Sequence, residues 1–173
     1  MRGRAKTVGV LAEHDYQTLE VWYPLYRLRE AGHNPIVIGT GSAPVYKSKN
    51  DYPVTVDRAA DAVSVSELDA IVIPGGWAPD HLRRYPAVIN LVRQVFTTGK
   101  PVAAICHAGW VLVSAGICRG KRATSFVAIK DDLIAAGTDW VDEECVVDGN
   151  LITSRTPDDL PAFMRALLTA LDQ

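Results

Sequence analysis

The chain has 173 residues, of which 48% are hydrophobic and 22% charged, and its formal net charge is −2. That composition supports one domain of ordinary size, taken as residues 1–173, and argues against a disordered chain. With no long basic run, no membrane-length apolar stretch and no secretory leader, neither nucleic acid nor a membrane is an expected partner.

In chain order, Thr7 to Ala12 reads as a short buried strand. Leu19 to Glu30 follows as a helix, with Leu19, Trp22, Tyr23, Tyr26 and Leu28 at helical spacing and Gly32 closing it. Pro35 to Gly39 is a second strand, and "PVTVD" at 53–57 alternates like an exposed or edge strand. "LDAIVIPGG" at 68–76 is a buried strand ending in two glycines. One helix is expected from Asp80 to Thr97, with a stripe of Val88, Leu91, Val92, Val95 and Phe96. A buried strand at 101–106 leads into a helix from Ala108 to Ala115. A short strand at 122–126 and a helix from Ala128 to Ala136, closed by Gly137, come next. "CVVDGNLITS" signals a hairpin turning at Asp148-Gly149, with or without Asn150, and Pro157 to Leu171 is a closing helix.

Strands alternating with helices imply an α/β fold with a mostly parallel sheet covered on both faces. Ligands of such sheets bind beyond the carboxyl ends of the strands, which here means the loops at 12–18, 75–80 and 106–108. The three cysteines, Cys106, Cys118 and Cys145, have no framework spacing, so reduced thiols and a cytoplasmic setting are expected. No CxxC and no histidine pair has ligand spacing, so no metal is expected.

"AAICHAGWVLVSAG" puts Cys106 and His107 between a buried strand and a helix. The unpaired N–H groups and positive dipole end of a helix N-terminus favour thiolate. A tight strand-to-helix turn presents its central side chain as a nucleophile elbow. The backbone N–H groups after Cys106 and at Gly75-Gly76 are candidate oxyanion donors. The alternative is a cysteine packed as a small hydrophobe, the expectation for Cys118 and Cys145.

The same segment resembles the PfpI family of intracellular cysteine peptidases, in the class I glutamine amidotransferase-like superfamily. The resemblance extends through "EVWYPLYRLREAGH", "PGGWAPDHLRR" and "GKRATSFVAIKDDLIAAGTDWVDEECVVDGNLITSRTPDDLPAF" and covers nearly the whole chain. It implies a flavodoxin-like three-layer sandwich with a C-terminal β-hairpin and no cofactor. It also implies Cys106 as nucleophile, His107 as its partner, Asp80 contributed from an adjacent subunit, and oxyanion donors at Gly76 and His107. Read within one chain, Asp80 is a helix N-cap. Trp77 is a candidate pocket residue, and Trp110 either narrows the pocket or belongs to the core. A homo-oligomer, dimer or hexamer, and small carbonyl compounds or peptides are the implied partners.

The superfamily usually carries a glutamate hydrogen-bonded to the cysteine sulfur. Ungapped alignment puts Gln17 there, with Glu13, Asp15 and Glu20 left as solvated surface. Gln cannot exchange a proton. The resemblance therefore implies a cysteine-dependent enzyme attacking electrophilic carbonyl carbons, as a peptidase, glyoxalase or deglycase. A non-enzymatic stress protein sensing oxidants through Cys106 is the alternative, toward which Gln17 tilts the balance; a silent scaffold is a third.

Overall fold

The structure is a computed structural model and describes residues 4–173. Its centre is a seven-stranded sheet whose inner strands are short and wholly apolar. The core pair, β6 (Ala70–Ile73) and β7 (Val102–Ile105), is buried at every position, the pattern of parallel strands covered on both faces. Outward from β6 lie β1 (Thr7–Leu11), β2 (Asn34–Gly39) and the edge strand β5 (Arg58–Ala59). Outward from β7 lie β11 (Leu151–Ser154) and β10 (Cys145–Asp148). Neighbours are parallel except for the terminal β10–β11 hairpin, in which Asp148 faces Leu151 across Gly149 and Asn150. Gly149, at φ 62°, supplies the left-handed residue of that turn.

The helices are α1 (Thr18–Glu30), α2 (Ala78–Leu82), α3 (Pro86–Thr97), α4 (Gly109–Ala115), α5 (Lys130–Ala135) and α6 (Leu160–Leu171). On the sheet, α1 packs against α6, and α4 packs against α2, α3 and α5. The pairs β3 (Val45–Lys47) with β4 (Pro53–Thr55) and β8 (Arg122–Ala123) with β9 (Asp139–Trp140) stand apart from the main sheet.

Several sequence expectations change. The 53–57 segment is strand only over Pro53–Thr55, alternating exposed and buried as expected, and it pairs with β3 apart from the main sheet. The helix expected over 80–97 breaks between α2 and α3, because Pro86 forces Tyr85 into extended backbone (φ −102°, ψ 111°) and starts a new helix at its first position. The apolar stripe of α1 also differs. Glu20, Val21, Pro24, Leu25 and Leu28 are buried, whereas Leu19, Tyr23 and Tyr26 are exposed. Of the expected stripe, Leu28 is buried and Trp22 packs half-buried against the core.

Candidate active site

β7 ends at Ile105, and the chain enters α4 through a single 3₁₀ turn, Cys106–Ala108. Cys106 makes the corner at φ 63°, a left-handed conformation uncommon for a residue with a Cβ. The sulfur is thereby turned toward the loops that leave β1 and β6. Tyr16 bridges Gly76 on one side and Ser48 on the other, and Trp77 N–H donates to the Asp15 carbonyl at 2.8 Å. Gly75 and Gly76 permit this approach. A Cβ on Gly75 would lie 2.6 Å from both Cys106 Cβ and Glu20 Oε2, and one on Gly76 would lie 2.4 Å from Gln17 N.

The first turn of α1 faces this corner. Gln17 is its N-cap, and Oε1 accepts from Leu19 N–H at 2.6 Å and Glu20 N–H at 3.1 Å. Gln17 therefore does not stand beside the sulfur as the ungapped alignment implies. Glu20, one helical turn later, does. It is fully buried, not solvated surface, and Oε2 accepts from Gly75 N–H at 2.7 Å. Its Oε1 is buried without a formed hydrogen bond, and the carboxyl interacts with the Cys106 thiol beside it. A signal for this existed in the sequence: Glu20 lies on one helical stripe with Val21, Pro24, Leu25 and Leu28.

Burial, only partly offset by the Gly75 hydrogen bond and the adjacent Cys106 thiol, pushes Glu20 up to about 7. Burial first, and then the Glu20 charge, push Cys106 up to about 12 against the lowering effect of hydrogen bonds from the Gly76 and His107 backbone N–H groups. A helix N-terminus therefore does not by itself make Cys106 a low-pKa thiol here. The two acids titrate as a pair. Loss of the first proton leaves one negative charge between carboxyl and sulfur, and that charge opposes loss of the second. That charge rests first on the Glu20 carboxylate, held by Gly75 N–H, while the N–H groups of Gly76 and His107 lower the cost of moving it to sulfur.

His107 Nδ1 lies 3.3 Å from the Cys106 sulfur. Its ring is boxed by Phe126, stacked at 4.8 Å, Trp77 at 5.1 Å and Trp110 at 5.3 Å. Burial and then the Lys49 charge hold it below the usual histidine range, so it is neutral near pH 7.

Asp80 lies inside α2 and is not its N-cap; that place belongs to Trp77. Asp80 is half-exposed and pairs with Arg84 of its own chain. Among the described residues nothing hydrogen-bonds the His107 Nε2. Trp77 lines the pocket over the sulfur. Trp110 lines a separate surface groove with Arg83 and Asp132, donating to Asp132 Oδ2 at 2.8 Å, and is neither core nor a wall of that pocket. Sequence reasoning also passed over Lys49, Phe126 and Thr156, which line it. Among the described residues no three His, Cys, Asp or Glu side chains converge as a metal site.

The profile of the DJ-1/PfpI family matches residues 6–170. The chain belongs to the DJ-1/PfpI family. It is 43% identical over 161 residues to deglycase PfpI of Pyrococcus furiosus, covering 93% of this chain and 96% of that protein. It is 40% identical over 169 residues to protein/nucleic acid deglycase 2 of Escherichia coli, covering 96% and 98%. The fold superposes on the crystal structure of Drosophila melanogaster DJ-1beta with a TM-score of 0.91 at 28% identity, covering 98% of this chain and 92% of that one. Within this DJ-1/PfpI chain, the buried glutamate beside the cysteine is Glu20.

Proposed function

We propose that the chain is a cysteine-dependent enzyme of the glyoxalase or deglycase type, in which Cys106 adds to the carbonyl carbon of a small aldehyde or its adduct. The observation that carries this reading is the buried Glu20 carboxyl against the Cys106 thiol, both beside the Gly76 and His107 N–H groups. A carboxyl near 7 is matched to proton exchange at neutral pH. As the S–C bond forms, the thiol proton passes to Glu20 and the carbonyl oxygen takes the charge, facing the two N–H donors. Glu20 then returns the proton to that oxygen, giving a hemithioacetal. With methylglyoxal, transfer of the hydrogen on the attacked carbon to the neighbouring carbon gives a thioester, which water hydrolyses to lactate and free thiol.

The pocket volume is about 140 Å³, below the ~300–1,000 Å³ usual for drug-sized ligands, which favours a small carbonyl compound over a peptide. The redox-sensing alternative is weaker, because a buried thiol held above its ordinary range is a poor oxidant trap. We further place Asp80 of a second copy next to His107, whose Nε2 has no partner among the described residues of its own chain, and hence read the protein as a homo-oligomer. Three unpaired cysteines fit the cytoplasm, and among the described residues no helix is long and apolar enough to cross a membrane. The deciding experiment is methylglyoxal turnover, followed as lactate, for the wild type, Cys106→Ala and Glu20→Gln. Turnover is expected to vanish in Cys106→Ala and to fall steeply in Glu20→Gln; equal turnover by Cys106→Ala would overturn the reading.

A further inference from the structure

The pocket over Cys106 presents hydrogen-bond donors that the protein leaves unused. Lys49 and Gln17 both line it. Among the described residues the Lys49 ammonium has no ion-pair partner, while the neighbouring acid, Asp51, pairs with Lys47 at 3.7 Å. Gln17 Oε1 is committed to two backbone N–H groups, which fixes the amide so that its NH₂ is the free end. Thr156 adds a hydroxyl, and among the described residues no carboxylate side chain lines the pocket, although the buried Glu20 carboxyl beside Cys106 feels the Lys49 charge. Lys49 is held from a braced loop: its N–H donates to the Tyr16 carbonyl at 3.0 Å, and Ser48 Oγ accepts from Asn50 and Tyr52 N–H, each at 3.1 Å. The loop's φ 61° residue, Asp51, completes that turn.

A cavity with a cation, an amide N–H and a hydroxyl beside a nucleophile is complementary to a group that only accepts. An ionised carboxylate is such a group. From this geometry we infer that the pocket selects carbonyl compounds carrying a carboxylate next to the reacting carbon, the 2-oxo acid class, with Lys49 as the carboxylate-binding residue and Gln17 as its second donor. The inference rests on the Cys106 reading above and adds the charge of the substrate. With glyoxylate as the simplest member, the thiol adds across the aldehyde C=O. The S–C bond forms, the C–O π bond becomes a hydroxyl, and the thiol proton ends on that oxygen through Glu20. No group leaves and no electrons are lost.

The test uses pairs of reagents alike in size and different in charge. Rates of Cys106 alkylation by iodoacetate and iodoacetamide, mapped by mass spectrometry, give one ratio. Protection of Cys106 by glyoxylate relative to methylglyoxal gives another. Both ratios are expected to fall about fivefold in Lys49→Met, the factor an exposed ion pair supports, and to recover in Lys49→Arg. In the wild type both are expected to fall when salt shortens screening below ~8 Å. If Cys106 is labelled and protected yet neither ratio responds to Lys49, charge selection is wrong and the nucleophile reading stands. If neither reagent labels Cys106 ahead of Cys118 and Cys145, both fail.

Discussion

Glu20 is a carboxyl that folding makes reluctant to ionise, and this has a thermodynamic cost. Its folded value, near 7, lies above the unfolded value of about 4.3. A group raised on folding contributes stability that is fully present below the unfolded value and lost as pH rises through the folded one. Between about pH 4.3 and 7 the wild type should lose about 3 kcal/mol from this residue, at ~1.36 kcal/mol per pH interval. His107, depressed by burial, acts in the opposite sense as pH falls below about 6.5 and is common to both proteins when the wild type is compared with Glu20→Gln. Urea unfolding across that range should show the falling limb in the wild type and its absence in Glu20→Gln. Turnover of Glu20→Gln should drop by roughly 10²–10⁴, the usual worth of general acid–base assistance. Gln17→Ala should behave differently. Loss of the N-cap should cost about 0.5–2 kcal/mol and leave the proton exchange at Glu20 in place, so denaturation midpoints should move while the pH profile of turnover does not.

The two faces of α1 can be told apart by substitution. Leu25→Ala removes a side chain that is 1% exposed and should cost about 2–5 kcal/mol. Tyr26→Ser, at 58% exposure, should stay within about 0.5 kcal/mol in the monomer. Thermal melts of the two variants check this, and equal losses would restore the aromatic stripe to the core. Much of the element order was legible from the sequence, because buried parallel strands such as "AIVI" and "VAAI" stand out as unbroken apolar runs. The Cys106 elbow was legible for the same reason: it directly ends such a run. The glutamate was not found by alignment, because Gln17 and Glu20 lie one turn apart at a helix start and only burial distinguishes a cap from a residue facing inward. Lys49 was illegible for another reason. It reaches the pocket through the bridge between Tyr16 and Ser48, a pairing that neither periodicity nor spacing encodes.

Over the whole molecule, chemistry gathers where chain connections from both halves of the sheet meet, at the carboxyl ends of β1, β6 and β7, as the topology of open parallel sheets leads one to expect. Among the described residues of one copy, no acid hydrogen-bonds the outer nitrogen of His107. If a second copy provides Asp80, sedimentation at micromolar concentration should report at least a dimer. Asp80→Ala should then lower turnover well beyond what the lost Arg84 pair, a surface contact worth about 0–1 kcal/mol, would explain. A monomer with full activity would remove Asp80 from the site.

The left-handed corner at Cys106 sets stability and activity against each other. A residue with a Cβ held at φ 63° carries roughly 1–2 kcal/mol of backbone strain, and glycine would shed it while giving back about 0.5–1 kcal/mol through its freer unfolded chain. Cys106→Gly should therefore melt at or above Cys106→Ala, although both lack the sulfur. A laboratory population selected only for heat resistance would drift toward glycine at this corner, and would fall silent as an enzyme while its melting curve improved.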